Sequence, residues 1–161
     1  MVELKIMNDE EYNSYMEEST RIHIEELMEW EKMSYEQAKE AAIKELEEML
    51  PEGLWTKDNF LMNIVDEENQ EIVGFIWFLH ELCEGKKQSF VCDFEIYERF
   101  RRNGLGKATM EALEEFARKH DCEESVLWVE GKNTIAIRLY EQGGYEKTRD
   151  MGNGFYMIKK L

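Results

Sequence analysis

Three features of the sequence predict a mixed α+β domain. Apolar residues recur at helical spacing over residues 9–49, the period changes to two between residues 60 and 97, and helix-like and strand-like stretches alternate from residue 104 onward. The 161 residues suit a single domain spanning residues 1–161, because a chain of this size buries about two-thirds of its unfolded surface without disulfides or metals.

Residues 2–7 alternate as a short strand, and Asn8 with Glu11 has the spacing of a capping box. A helix is expected over residues 9–31, with Tyr12, Tyr15, Met16, Ile22, Leu27 and Trp30 as its apolar stripe. Ser34 with Gln37 repeats the cap, and Ala38, Ala41, Ala42, Leu46 and Met49 carry a second helix until Pro51 and Gly53 stop it. Residues 60–65, 71–82 and 88–97 then read as three strands joined by short polar loops, the pattern of an antiparallel meander. Along the third, simple alternation sets Phe90, Cys92, Phe94 and Ile96 on one face and Ser89, Val91, Asp93, Glu95 and Tyr97 on the other. Residues 104–120 read as a helix bearing Leu105, Ala108, Ala112, Leu113 and Phe116 on one side, and residues 125–130 as a buried strand. A short helix over residues 134–142 ends at Gly143 and Gly144, and residues 145–151 and 155–160 close the chain as strands around Gly152-Asn153-Gly154.

Composition narrows the function. The formal net charge is −16, and it is uneven: residues 1–96 hold 25 acids and 8 bases, residues 97–161 hold 11 acids and 12 bases. Such a chain lacks the clustered cations that grip a phosphate backbone, so no nucleic acid is expected as a partner. The longest apolar run, residues 72–79, falls far short of the roughly 20 residues that span a bilayer, so no membrane is expected either. The opening residues lack the basic and apolar regions of a signal peptide, and Cys83, Cys92 and Cys122 form an odd, scattered set; together these predict reduced thiols in a cytoplasm. His80 with Cys83, and His120 with Cys122, are pairs and not four-ligand sets, so no metal is expected.

The stretch Arg101-Arg102-Asn103-Gly104-Leu105-Gly106-Lys107 lies between a strand and the start of a helix. Glycines there admit a ligand close to the backbone, and free amides with the helix dipole form a positive cup for phosphate. Neither the P-loop nor the dinucleotide glycine pattern is met, since residue 109 is Thr and no glycine lies five residues before Gly106.

Arg101-x-x-Gly104-x-Gly106 resembles the coenzyme A pyrophosphate motif of the GNAT superfamily of N-acetyltransferases. Asn133, Ala136 and Leu139-Tyr140-Glu141-Gln142-Gly143-Gly144-Tyr145 look like that family's second block, about thirty residues on, and the element order is similar to its whole fold. The resemblance implies the acyl-CoA N-acyltransferase fold, a mostly antiparallel sheet splayed between strands four and five and flanked by helices. It implies acetyl-CoA as cosubstrate and transfer to a primary amine of a cationic acceptor, either polyamine-like or a protein lysine or N-terminus. Amides of Arg102, Asn103, Gly104, Leu105, Gly106 and Lys107 would hold the pyrophosphate, with Arg101 adding positive field. Ile96 would bond the pantetheine arm and polarise the thioester carbonyl, Asn133 would contact the arm, and Tyr140 would protonate the departing thiolate. Family habit also implies a homodimer, through the closing strands or the N-terminal helices.

The chemistry agrees on two points. A thiol of pKa about 8.5 leaves as an anion unless a donor such as a phenol of pKa about 10 meets it, and an ammonium of pKa about 10.4 needs a base before it attacks a carbonyl. Glu95 and Asp93 are the candidate bases, with Glu130 a third. The sequence departs from the commonest family pattern at Tyr97-Glu98, at Gly143-Gly144-Tyr145, and at Arg102, which stands where glycine is frequent and is expected in ordinary right-handed or extended backbone. An acyl-CoA-binding or interaction module without catalysis is the competing class.

Overall fold

A computed structural model describes residues 1–161, and its contacts divide them into two compact units, Met7–Asn59 and Met1–Ile6 with Phe60–Leu161. The smaller unit holds α1 (Asp9–Trp30), α2 (Tyr35–Met49) and a 3-10 turn (Gly53–Trp55). Both capping boxes form: the Asn8 side chain accepts from the Glu11 N–H at 2.8 Å, and the Ser34 hydroxyl accepts from the Gln37 N–H at 3.2 Å. The expected stripe of α1 needs correcting. Ile24 is the buried residue, seated against the fully buried Ala38 and Ala42, while Ile22 and Trp30 are exposed. The small alanines leave room for one large side chain between the helices, so the buried seam is narrower than the apolar pattern.

The larger unit is built on β1 (Val2–Ile6), β2 (Asn59–Asp66), β3 (Glu71–Cys83), β4 (Lys86–Ile96), β5 (Glu124–Glu130), β6 (Glu146–Asp150) and β7 (Gly154–Lys160), in the order β1-β2-β3-β4-β5-β7-β6. Most pairs are antiparallel; β4 and β5 run parallel. Between them come α3 (Leu105–Lys119) and later α4 (Thr134–Gln142). Each element matches its sequence expectation within two residues. No helix is long and apolar enough to cross a membrane.

Leu105, Met110 and Leu113 of α3 join Ile64, Ile76, Phe78, Val91, Leu127, Val129 and Met157 of the sheet in one buried cluster. Beside it, Phe60, Phe78, His80, Phe116 and His120 pack ring against ring, with Phe116 and His120 stacked at 4.3 Å. Both histidines thus serve in an aromatic wall.

One irregularity shapes the sheet. Trp77 lies opposite Asp93 but Phe78 opposite Val91, so Cys92 is an extra residue, a β-bulge. β4 pairs with β5 only from Gln88–Glu124 to Val91–Leu127. From the bulge onward β4 stays with β3 and β5 stays with β7, and the two strands part.

Candidate active site

The bulge also overturns the simple alternation of faces. Asp93 pairs with Trp77 and Val91 with Phe78, and neighbouring residues of β3 point oppositely, so Asp93 and Val91 lie on opposite faces. Ser89, Val91, Phe94 and Ile96 therefore share the face covered by α3, and Phe90, Asp93 and Glu95 share the other. Across the parallel pairs, Glu130 falls on the same face as Asp93 and Glu95. The three candidate bases thus flank the opening between β4 and β5 on one side of the sheet.

Register also says which amides face that opening. The Tyr97 N–H donates to the Val73 carbonyl at 2.9 Å, which makes Gly74 and Ile96 a non-hydrogen-bonded pair. The N–H groups of Ile96 and, two residues back, Phe94 consequently point away from β3 toward the gap. On the other wall, the Gly131 N–H donates to the Asn153 carbonyl at 3.0 Å, so the backbone groups of Glu130 and Trp128 turn from β7 toward the same gap. Gly74 lets β3 lie this close, because a Cβ there would run into the Glu95 carbonyl oxygen.

Arg101 is turned back on β4: its Nε donates to the Ile96 carbonyl at 2.8 Å and its Nη2 lies 3.6 Å from Glu95. The Arg102 backbone corrects the sequence expectation, with φ +67° in the left-handed region. A tight turn into α3 imposes that conformation, which costs a side-chain-bearing residue roughly 1 kcal/mol or more. Asn103 ties the turn down, its Nδ2 donating to the Phe100 carbonyl at 3.1 Å. Gly104, at φ +75°, precedes α3 without a side-chain cap, and the first helical bond is Ala108 N–H to Gly104 carbonyl. The amides of Leu105, Gly106 and Lys107 have no partner within the helix and stand at its positive end. Gly106 admits Leu139 of α4, whose Cδ2 would lie 3.2 Å from a Cβ.

Asn133 caps α4, its Oδ1 accepting from the Ala136 N–H at 3.1 Å, which leaves its amide donor for other work. Tyr140 is half-buried on α4, and burial pushes its phenol up to about 12, so it stays protonated at neutral pH. It borders a pocket of about 130 Å³ with Lys107, Glu111, Glu114, Tyr145 and Lys159. Sequence reading missed Glu114, whose buried face of α3 also holds Thr109, Met110 and Ala117, rotated from the predicted stripe. Its partner Lys159 lies 45 residues away, beyond any local signal.

A sheet parted between two parallel strands, beside a glycine-led helix start with bare amides, defines the class as an acyltransferase fold. The sequence profile of the acetyltransferase (GNAT) family matches residues 24–145. The chain is 31% identical to YycN of Bacillus subtilis (strain 168), an uncharacterized N-acetyltransferase, over 142 residues covering 88% of this chain and 90% of that protein. The YycN crystal structure superposes with a TM-score of 0.80 at 30% identity, covering 94% and 96% of the two chains. YdgE of the same strain, also an uncharacterized N-acetyltransferase, is 30% identical over 118 residues, 73% and 72% of the respective lengths. PaiA N-acetyltransferase from Thermoplasma acidophilum, in complex with coenzyme A, shares the fold with a TM-score of 0.69 at 16% identity, covering 100% and 99%. The chain belongs to the GNAT acetyltransferase family and is an acyltransferase.

Proposed function

We propose that the protein transfers the acetyl group of acetyl-CoA directly to a primary amine on a cationic acceptor, a polyamine-like molecule or a protein lysine or N-terminus. The observation that carries this reading is the parted sheet, in which the Phe94 and Ile96 amides face a gap that opens beside the bare amides of α3. The amides of α3, with those of the turn from Arg102 to Gly104, receive the anionic pyrophosphate, and Arg102 and Lys107 reinforce the field. Phe94 and Ile96 bond the amide-bearing arm of the cosubstrate, and the Ile96 N–H polarises the thioester carbonyl. The Asn133 amide nitrogen contacts the same arm.

The acceptor ammonium loses its proton to Glu95 or Asp93, or through water to Glu130, and the free amine attacks the carbonyl carbon. When the tetrahedral adduct collapses, the C–S bond breaks and Tyr140 meets the thiolate as a donor. A phenol near 12 is a weaker acid than a thiol of about 8.5, so Tyr140 stabilises the leaving sulfur by hydrogen bonding and hands over its proton only as the charge develops. Cationic acceptors fit the excess of acid in residues 1–96, and their KM should rise with ionic strength as screening weakens the attraction. The three free cysteines are in keeping with a reducing cytoplasm. Pairing of two copies through the closing strands is part of the reading, supported by β6, which ends the sheet and is exposed along its length.

The test is an amine panel with acetyl-CoA, read by release of free thiol. The reading expects turnover with at least one cationic amine and, in Tyr140→Phe, a kcat lower by about 100-fold with unchanged acetyl-CoA affinity. Tight acetyl-CoA binding without turnover on any amine would leave a binding module in its place.

A further inference from the structure

We propose that Glu114 is a positioning residue for Tyr140, acting with Tyr145, Ser125 and Lys159 as an anchor for the end of α4. The inference rests on the reading of Tyr140 as the donor to sulfur. Its starting point is that α4 contains no fully buried residue, and Ile135 on it is 84% exposed. Half-buried Ala136, Ile137 and Tyr140 rest against the core cluster, a shallow apolar contact for this nine-residue helix. A deeper anchor comes just after its end.

Gly143 and the left-handed Gly144, at φ +94°, turn the chain back so that the Tyr145 N–H donates to the Tyr140 carbonyl at 3.0 Å. The Tyr145 side chain then plunges inward and is 3% exposed, with its ring 5.9 Å from that of Tyr140. Its hydroxyl lies 2.7 Å from the Ser125 hydroxyl on β5 and 3.4 Å from the Glu114 carboxylate on α3. The other Glu114 oxygen accepts from the Lys159 Nζ on β7 at 2.5 Å, and the Lys159 stem lies along Gly144. One ordering of protons satisfies the whole set: Ser125 donates to Tyr145, Tyr145 donates to Glu114, and Lys159 donates to Glu114.

The turn that follows Tyr140 is thus held to α3, β5 and β7 by one buried polar chain. Glu114 is 3% exposed, and an apolar side chain would fill that place at less cost in desolvation. A carboxylate there buys direction: it holds the Tyr145 hydroxyl at one point, and Tyr140 borders the same pocket as Glu114, Tyr145 and Lys159. A phenol displaced by even about 1 Å loses much of its effect on a leaving group.

Tyr145→Phe and Glu114→Gln test this, each made alone and combined with Tyr140→Phe, with kcat, acetyl-CoA Kd and the thermal midpoint measured for every variant. Tyr145→Phe keeps the ring and is the milder change to the fold. The expected result is a fall in kcat of about tenfold for either variant, acetyl-CoA Kd within twofold, and no further fall when Tyr140 is already Phe. An equal fall in both backgrounds shows general loosening and overturns the proposal, as does an unchanged kcat. A Tyr140→Phe that itself leaves kcat unchanged overturns the donor assignment and this inference together, whereas loss at Tyr140 alone overturns only the inference.

Discussion

The two halves of β4 belong to one continuous strand and meet opposite fates. Over residues 88–91 the strand is interior, bonded to β3 on one side and β5 on the other; over residues 93–96 it keeps β3 and gives up β5. One inserted residue, Cys92, separates them. Its bulge turns the carboxylates Asp93 and Glu95 to the face away from α3 and leaves the Phe94 and Ile96 amides facing an opening. An edge inside a sheet is ordinarily a liability. Here an open polar edge is made by ending one ladder early, which needs a local change of register and no extra loop.

The largest effect should come from closing the space that lets the open half lie against β3. Gly74→Val drives a side chain into the Glu95 backbone, so acetyl-CoA binding should vanish in calorimetry, and denaturant unfolding should show a loss of about 3 kcal/mol. Retained affinity would mean that the open half does not hold the cosubstrate. Next come the carboxylates on the face away from α3. Glu95→Gln and Asp93→Asn, compared by kcat, should separate, with about 100-fold loss in the one that carries the base and under about threefold in the other. Two silent variants pass the role to Glu130.

Alkali provides a third contrast. Burial pushes the Cys92 thiol up to about 12 from 9.0, and the Tyr140 phenol up to about 12 from 10.0. Both groups hold their protons more tightly folded than unfolded, so their contribution is intact below pH 9 and is lost as pH climbs from 9 toward 12. Urea midpoints at pH 8 and 10.5 should show the fall, and Cys92→Ala should flatten its lower part. The smallest effect is at the turn into α3: Arg102→Gly relieves left-handed backbone and should raise stability by up to about 1 kcal/mol, read from thermal unfolding.

What was legible in the sequence was local. Asn8 with Glu11, Ser34 with Gln37, and the glycines at 104, 106, 143 and 144 act within a few residues of themselves, so the helix ends and the glycine-led turn into α3 are legible directly. The bulge is not. Cys92 is apolar and fits an alternating strand, and nothing in one strand says that its neighbour will slip by a residue. At Arg102 the turn, not the residue, dictates φ, so the residue type gives no sign of it. The exposure of Trp30 and Ile22 is set by α2, whose alanines leave only a narrow seam for α1 to bury. Glu114 carries no local signal, because its partners lie on β7 and beyond α4.

Backbone amide hydrogen exchange of residues 88–96, with and without saturating acetyl-CoA, tests the contrast most directly. The account predicts that the Phe94 and Ile96 amides gain protection on binding, while Gln88–Val91, already laddered on both sides, and Glu95, already bonded to β3, change little. Saturated binding that leaves Phe94 and Ile96 exchanging as before would contradict it.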